Sequence, residues 1–350
     1  MSVFDYLNND IDAILVTSDV NRRYLSGFMS SYGFFIESRN KKYLLVDSRY
    51  FESAEKNAND CEIILLQQTK KQLTEIFDNL QVKTVAIEGG AFTLEDYDCF
   101  CRDFPKIKFE TRSLSKALNT LRSVKSKNEI ENIIKAQRIA EKAFEQLLTE
   151  IKVGDTESQI AARLDYLMKI YGSEGLSFET IVLSGKNTSM PHGVPSDKQI
   201  EYGDFLQFDF GAVYNGYHSD MSRVVAIGDV SDEMKKVYNI VLASQNKAIE
   251  AASDSITGKQ LDAVARDCIS ENGYGEYFGH SLGHGVGLEI HEAPNASPSS
   301  DSLLPCNTVV TIEPGIYLPG KFGVRIEDMI VINGDTAINL TKTPKNLIKL

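Results

Sequence analysis

The sequence predicts an α+β protein in two domains, a smaller α/β domain over residues 1–122 and a larger α+β domain over residues 123–350. Three observations carry this. Residues 1 to 122 alternate short apolar runs with amphipathic segments, the pattern of strands and helices in turn. A polar, basic stretch, Leu121–Asn128, then precedes a long helical pattern. Beyond it, a helix–helix–strand order occurs twice.

In the first domain the strand-like runs are IDAILVTS, YGFFIES, KKYLLVD, CEIILLQ, KTVAIEGG and KIKFETR. Between them, RYFESAEKNAN, KKQLTEIFDNL and TLEDYDCFCRDF carry helical patterns, so a small mixed sheet with covering helices is expected. No catalytic constellation appears in this domain, and no histidine precedes residue 192. The second domain opens on a helix expected from Glu129 to Ile151, with apolar residues at Ile130, Ile133, Ile134, Ala140 and Phe144. TESQIAARLDYLMKIYG (156–172) then matches TGKQLDAVARDCISENG (257–273) at an offset of 101 residues, sharing Thr, Gln, Ala and Gly. Each copy follows a long helix and precedes strand-like sequence, which suggests a duplicated α+β unit with the active site between the copies.

Composition narrows the function. With 350 residues and 42% hydrophobic content the chain can bury two ordinary cores. A net charge of −12 argues against nucleic acid and against an anionic membrane surface, both of which select basic faces. The five cysteines (Cys61, Cys99, Cys101, Cys268, Cys306) are odd in number and lack CxxC spacing, so they read as reduced thiols. No basic leader followed by an apolar core opens the sequence, and no apolar run approaches about 18 residues. The expectation is a soluble, cytoplasmic protein acting on a small or peptidic partner.

Acids interrupt apolar strand sequence where a buried charge costs several kcal/mol unless it is paired or metal-bound. Asp209 lies in FLQFDFGAV, Glu313 in VVTIEPGIY and Glu327 in GVRIEDMIVI. Asn215-Gly216 predicts a two-residue hairpin, so residues whose numbers sum to 431 face each other and Asp209 and Asp220 share one face, about 7–8 Å apart at the backbone. A three-residue loop would place them on opposite faces. At that separation the two carboxylates can reach metal ions about 3.5–4 Å apart. Pro314-Gly315 ends pairing after Glu313 and leaves its carboxylate at a strand end. Arg325 and Glu327 share a strand face by alternation, where a salt bridge competes with a site role.

All five histidines fall between residues 192 and 291. His284, flanked by Gly283 and Gly285, is the expected imidazole ligand. His192, in a loop after Met190-Pro191, and His291, after the strand LEI, are placed to touch substrate, while His218 is a bystander by turn parity. Carboxylates and imidazole without thiolate suit Mn, Fe, Co or Zn.

FDFGAVYNGYHSD, GHSLGHGVGLEIHE, TIEPGIY and GVRIED resemble the metal-binding signatures of the pita-bread metallopeptidases, the family of methionine aminopeptidase, prolidase and aminopeptidase P. The resemblance covers residues 125–350, and all five ligand positions are present. It implies a pita-bread catalytic domain behind a creatinase-like N-terminal domain. It also implies two divalent ions, Mn2+ foremost with Co2+ or Zn2+ as alternatives, held by Asp209, Asp220, His284, Glu313 and Glu327. In that pattern Asp220 and Glu327 bridge the ions, Asp209 completes one site, and His284 with Glu313 completes the other. Glu313 would relay a proton from a water acidified by the ions, and His192 and His291 would line the reacting carbonyl. His280, Tyr317 and Arg325 would shape a proline pocket.

YLSGFMSS, LLVDSRYFESA and SFETIVLSGKNTSMPHGVPSDKQI are similar to the shorter bacterial aminopeptidases P. The expected activity is therefore that of a metal-dependent Xaa-Pro aminopeptidase acting on small peptides with proline second, in a homodimer. A prolidase, restricted to Xaa-Pro dipeptides, shares the same centre. Non-catalytic modules and a metal-free hydrolase of guanidino compounds also use this fold, but they lose ligand residues that this chain keeps.

Overall fold

The computed structural model describes residues 2–350, which divide into one compact unit ending at Arg122 and a second spanning Ser123–Leu350. The first unit contains β1 (Ala13–Val16), α1 (Asp19–Ser26), β2 (Phe34–Ser38), β3 (Lys42–Val46), α2 (Phe51–Asn57) and β4 (Glu62–Leu65), followed by α3 (Thr69–Leu80), β5 (Thr84–Ile87), α4 (Leu94–Asp103), β6 (Lys108–Glu110) and α5 (Ser113–Ser123). Its sheet runs β4-β3-β2-β1-β5-β6 and is mixed: the β1–β2 and β2–β3 pairs are antiparallel, the remaining pairs parallel. Strand alternation sorts the side chains to two faces. Ile14, Val16, Leu44 and Val46 pack with Leu114 and Leu118 of α5, while Ala13, Leu15, Ile36 and Leu45 pack with Leu73, Ile76 and Phe77 of α3. The helices α1 and α5 have no counterpart in the expected segments, although Ser18 caps α1 and Gly27, at φ 70°, ends it.

The second unit begins with α6 (Lys127–Leu148), α7 (Glu157–Ile170), β7 (Ile181–Ser184), β8 (Phe205–Phe210), β9 (Val213–Tyr214), β10 (Tyr217–His218) and β11 (Met221–Ala226). It continues with α8 (Asp232–Ala251), α9 (Gly258–Glu271), β12 (Gly283–Gly285), β13 (Glu292–Ala296), β14 (Val309–Ile312) and β15 (Gly315–Leu318). The last elements are β16 (Phe322–Arg325), β17 (Asp328–Asn333), β18 (Thr336–Asn339) and β19 (Ile348–Lys349). One sheet is ordered β19-β11-β8-β7, the other β13-β12-β14-β17-β18, with β9–β10 and β15–β16 as two-stranded ribbons. Helix α6 starts two residues before the expected Glu129, because Ser126 caps it and Glu129 reaches back to the Ser126 N–H at 2.7 Å.

The internal repeat is real at the level of atoms. The matched Thr and Gln form the same capping box at each helix start, Thr156 with Gln159 on α7 and Thr257 with Gln260 on α9. Both Thr residues also form an isolated bridge to the returning chain, Thr156 to Gln199 and Thr257 to Leu303. The matched glycines, Gly172 and Gly273, take φ of 102° and 84° just past the helix ends. In each copy three strands then follow in the same neighbour order, β7-β8-β11 and β12-β14-β17. Leu206, Phe208 and Phe210 bury one face of the first sheet with Phe144 of α6, and Phe205, Val224 and Ala226 join the core of the second copy.

The hairpin register is the expected one. Ser222 faces Asp209, Met221 faces Phe210 and Tyr217 faces Tyr214, around Asn215-Gly216 with φ of 47° and 69°. Both turn residues are left-handed, so Gly216→Ala is expected to destabilise the protein by about 1 kcal/mol, read as a shift in the midpoint of urea unfolding at an unchanged slope. Two strand expectations need correction. GVRIEDMIVI is two strands, since pairing of β16 ends at Arg325 and β17 starts at Asp328, which leaves Ile326 and Glu327 free of either ladder. LEI before His291 is a bend, and His291 instead immediately precedes β13. No helix among the described residues is long and apolar enough to cross a membrane.

Candidate active site

A cavity of about 730 Å³ opens between the two copies of the repeat, lined by residues from Phe178 to Glu327. Each copy contributes two acids from equivalent places. Asp209 lies near the end of β8 and Glu313 one residue past β14, while Asp220 and Glu327 each stand one residue before the next strand, β11 or β17. Both positions place a carboxylate at a sheet end, where the ladder stops and a side chain can turn inward. His284, on β12, supplies the imidazole.

His284 Nδ1 lies 3.0 Å from the Gly285 carbonyl and donates to it, so Nε2 carries the lone pair. That nitrogen is 3.4 Å from Glu313 Oε1 and 3.6 Å from Asp220 Oδ2. Ligand atoms of Asp220, His284 and Glu327 all lie within 4.8 Å of one another. Three of the four carboxylates are tethered by one oxygen. Arg325 Nη2 donates to Asp209 Oδ2 at 2.5 Å, Ser222 Oγ to Glu327 Oε2 at 2.9 Å and Thr311 Oγ1 to Glu313 Oε1 at 3.1 Å. The other oxygens of Asp209 and Glu327, and Oδ1 of Asp220, are buried without a hydrogen-bond partner.

Buried carboxylate oxygens with no donor are costly, and three of the cavity-lining acids each carry one. Burial first, then the mutual repulsion of Glu327, Asp209 and Glu313, raises the Asp220 carboxyl well above its ordinary range. Glu327 is raised for the same reasons, burial leading, and Glu313 is pushed by burial up to about 8. Such a cluster calls for cations, and hard oxygens with one neutral imidazole fit divalent transition ions. The second-copy histidine complies, since burial lowers the His284 pKa to about 4 and keeps the ring neutral.

The profile of metallopeptidase family M24 matches residues 131–334, and that of the creatinase/prolidase N-terminal domain matches residues 7–124. The chain belongs to metallopeptidase family M24. Its two-domain architecture is that of a creatinase-type N-terminal domain followed by a pita-bread domain. The Xaa-Pro dipeptidase of Pyrococcus horikoshii is 41% identical over 345 residues, covering 97% of this chain and 95% of the relative. The solved X-Pro aminopeptidase from Thermotoga maritima MSB8 superposes with a TM-score of 0.93 at 41% identity, covering 97% of this chain and 98% of that one. The Xaa-Pro dipeptidase from Bacillus anthracis gives a TM-score of 0.95 at 39% identity, covering 99% and 98%.

In this M24 chain, His192, His280 and His291 line the same cavity as the five acid and imidazole positions, and Arg325 lines it too. The His291 ring stands edge-on to His284, with centroids 4.2 Å apart. His218, set aside by turn parity, is not among the lining residues. Nor is Tyr317, which the family resemblance placed in the proline pocket. It sits behind the wall, where Arg325 Nη1 donates to its hydroxyl at 2.8 Å and the hydroxyl in turn donates to His280 Nε2 at 3.0 Å. His280 Nδ1 donates to the Ser281 carbonyl at 2.8 Å, which fixes that direction. Burial takes the His280 pKa down to about 4 and raises Tyr317 to about 12, so the chain is neutral beyond Arg325. Arg325 does not pair with Glu327; its partners are Asp209, Tyr317, Ser222 and the Pro191 carbonyl.

Sequence reasoning overlooked Ser222 and Thr311. Each hydroxyl tethers an acid from one side while accepting a hydrogen bond from the other, Ser222 Oγ from Arg325 Nε and Thr311 Oγ1 from the His284 backbone N–H. Ser222 could have been found, because the hairpin register already set it opposite Asp209. Thr311 carried no such signal.

Proposed function

We propose that the protein is a metal-dependent exopeptidase that removes the first residue from small peptides with proline at the second position, an Xaa-Pro aminopeptidase. The unpartnered oxygens of the cavity-lining Asp209, Asp220 and Glu327, together with the His284 lone pair, support the reading. In it, Asp209, Asp220, His284, Glu313 and Glu327 would hold two divalent ions, Mn2+ foremost with Co2+ and Zn2+ as alternatives. When bound, such ions supply the positive charge that acidifies water and polarises a carbonyl. Glu313, whose carboxylate lies in the cavity just past the end of β14, accepts and relays the proton of the attacking water. His192 and His291, which both line the cavity, donate N–H groups to the oxygen that gains charge. A proline amide has no N–H, so it needs a shaped wall rather than a strand partner; His280 and Arg325 provide that wall, with Tyr317 bracing both.

The aminopeptidase form is supported by one further observation. Arg325 is the only lysine or arginine among the described residues lining the cavity, and its guanidinium is already committed to four protein partners. A strict dipeptidase would hold the free proline carboxylate most strongly with a charge-assisted donor. The names of the Pyrococcus horikoshii and Bacillus anthracis relatives favour that second reading, prolidase. Protein stripped of metal and reloaded with Mn2+ decides between them. Release of the first residue from an Xaa-Pro-Xaa tripeptide is the expected result; hydrolysis of an Xaa-Pro dipeptide alone makes the protein a prolidase, and hydrolysis of neither rejects both. A homodimer belongs to the same proposal, and sedimentation equilibrium tests it.

A further inference from the structure

His192 sits on a segment that has little secondary structure of its own. Between β7 and β8 the chain makes a short 3-10 turn, Gly185–Ser189, and then runs irregularly past Pro191, His192, Gly193, Val194 and Pro195, all of which line the cavity. Both ends of this segment converge on one side chain. Glu157, the first residue of α7, is fully buried, and its carboxylate accepts from five groups. At the leading end, Ser184 donates its backbone N–H at 2.6 Å and its hydroxyl at 3.1 Å, and the Asn187 amide lies 3.1 and 3.2 Å from the two oxygens. At the trailing end, Ser196 donates its backbone N–H at 3.1 Å and its hydroxyl at 2.7 Å.

These donors are all neutral, and the neighbouring Lys198 ammonium is paired with Asp204 at 2.8 Å. A carboxylate buried among neutral donors is a poor source of stability, because its desolvation roughly cancels what the donors return. It does give geometric definition, since five donors in fixed directions admit one arrangement of the chain.

The second copy of the repeat shows what the device replaces. The first two N–H groups of α7 donate to Lys198 and Ser196, and those of α9 donate to Ser302 and Ser300, so each helix start holds the returning segment in the same way. The second segment carries His291, which lines the cavity as His192 does. At the place of Glu157, however, α9 has Gly258. A Cβ there would come within 2.0 Å of the Asn295 carbonyl oxygen, so backbone packs directly on the helix. The first segment stands off from α7, and the Glu157 carboxylate fills the gap.

We propose that Glu157 is a positioning residue for the reaction, a buried clamp that fixes the His192 segment against the catalytic cavity without touching substrate or the acid cluster. The proposal rests on the peptidase reading for its kinetic part and on the fold alone for its structural part. The test uses Mn2+-loaded, full-length Glu157→Gln, in which the volume is kept but an NH2 group faces donors, together with Asn187→Ala, which removes one donor and leaves the carboxylate. Hydrogen exchange of the amides of residues 185–197 is expected to accelerate in both variants while those of α9 and β12 hold their wild-type rates. On an Xaa-Pro-Xaa tripeptide, kcat is expected to fall about 10- to 100-fold in Glu157→Gln, with KM moving less than about threefold, as for a misplaced group rather than lost binding. Asn187→Ala lies between Glu157→Gln and wild type, and it carries the test if Glu157→Gln does not fold. Wild-type exchange and wild-type kcat in the folded variants would overturn the clamp. Wild-type protein that leaves every Xaa-Pro peptide intact would instead overturn the peptidase reading, and the exchange rates alone would then decide the clamp.

Discussion

Stripping the divalent ions with a chelator is expected to abolish peptide hydrolysis and to leave a folded protein whose melting temperature falls as pH rises from about 4.5 to about 8. The cause is the acid cluster. Burial and mutual repulsion raise the Asp220 and Glu327 carboxyls, and burial takes Glu313 from 4.5 to about 8. A carboxyl raised in this way keeps its proton in the folded protein at a pH where the unfolded chain has already released it. Its contribution is therefore fully present below the unfolded value and is lost as pH climbs through the folded one. Bound ions supply the missing positive charge, so the Mn2+-loaded protein should lose the downward slope and melt higher at the alkaline end. Differential scanning fluorimetry of both forms between about pH 5 and about pH 8.5 reads this directly. A metal-free melting curve that stays flat across the window would mean that the four acids do not burden the fold as described.

Glu313→Gln is expected to lower kcat by about 100- to 10,000-fold, the usual worth of a positioned proton acceptor. The amide keeps an oxygen for Thr311 Oγ1 to hold and for an ion to contact, but it cannot take a proton. Steady-state kinetics should show the loss in kcat with KM nearly unchanged, and metal analysis should show the wild-type complement of ions at saturating Mn2+. Were activity and metal content to fall together, Glu313 would be a ligand only, and the proton would have to go elsewhere.

Much of this site was legible because its residues break local rules. Asp209, Glu313 and Glu327 stand in apolar strand sequence where a charge is out of place, and the Asn215-Gly216 turn fixed the Asp209–Ser222 register by arithmetic. The repeat was legible for a related reason, since the Thr and Gln that cap α7 and α9 are local sequence signals with a local structural effect. What escaped depends on distant partners. Tyr317 stands behind the cavity wall only because His280 and Arg325 come to it from different elements. The break between β16 and β17 is invisible in GVRIEDMIVI, which alternates like one strand; the strand partner changes midway, and only the tertiary pairing reveals it. Helix α1 was missed because DVNRRYLS is polar, with caps as its only clear markers.

The duplication is also expected to order assembly in time. Asp209 and Asp220 are joined by a tight hairpin, and Glu313 and Glu327 by the β15–β16 ribbon, so each pair forms from contacts close in sequence. The two pairs lie about a hundred residues apart, and bringing them together is a slow, non-local event compared with closing either turn. A divalent ion held, as proposed, by acids from both halves would therefore be a late witness: the rate at which a refolding chain acquires tightly held metal is expected to report when its two halves have met.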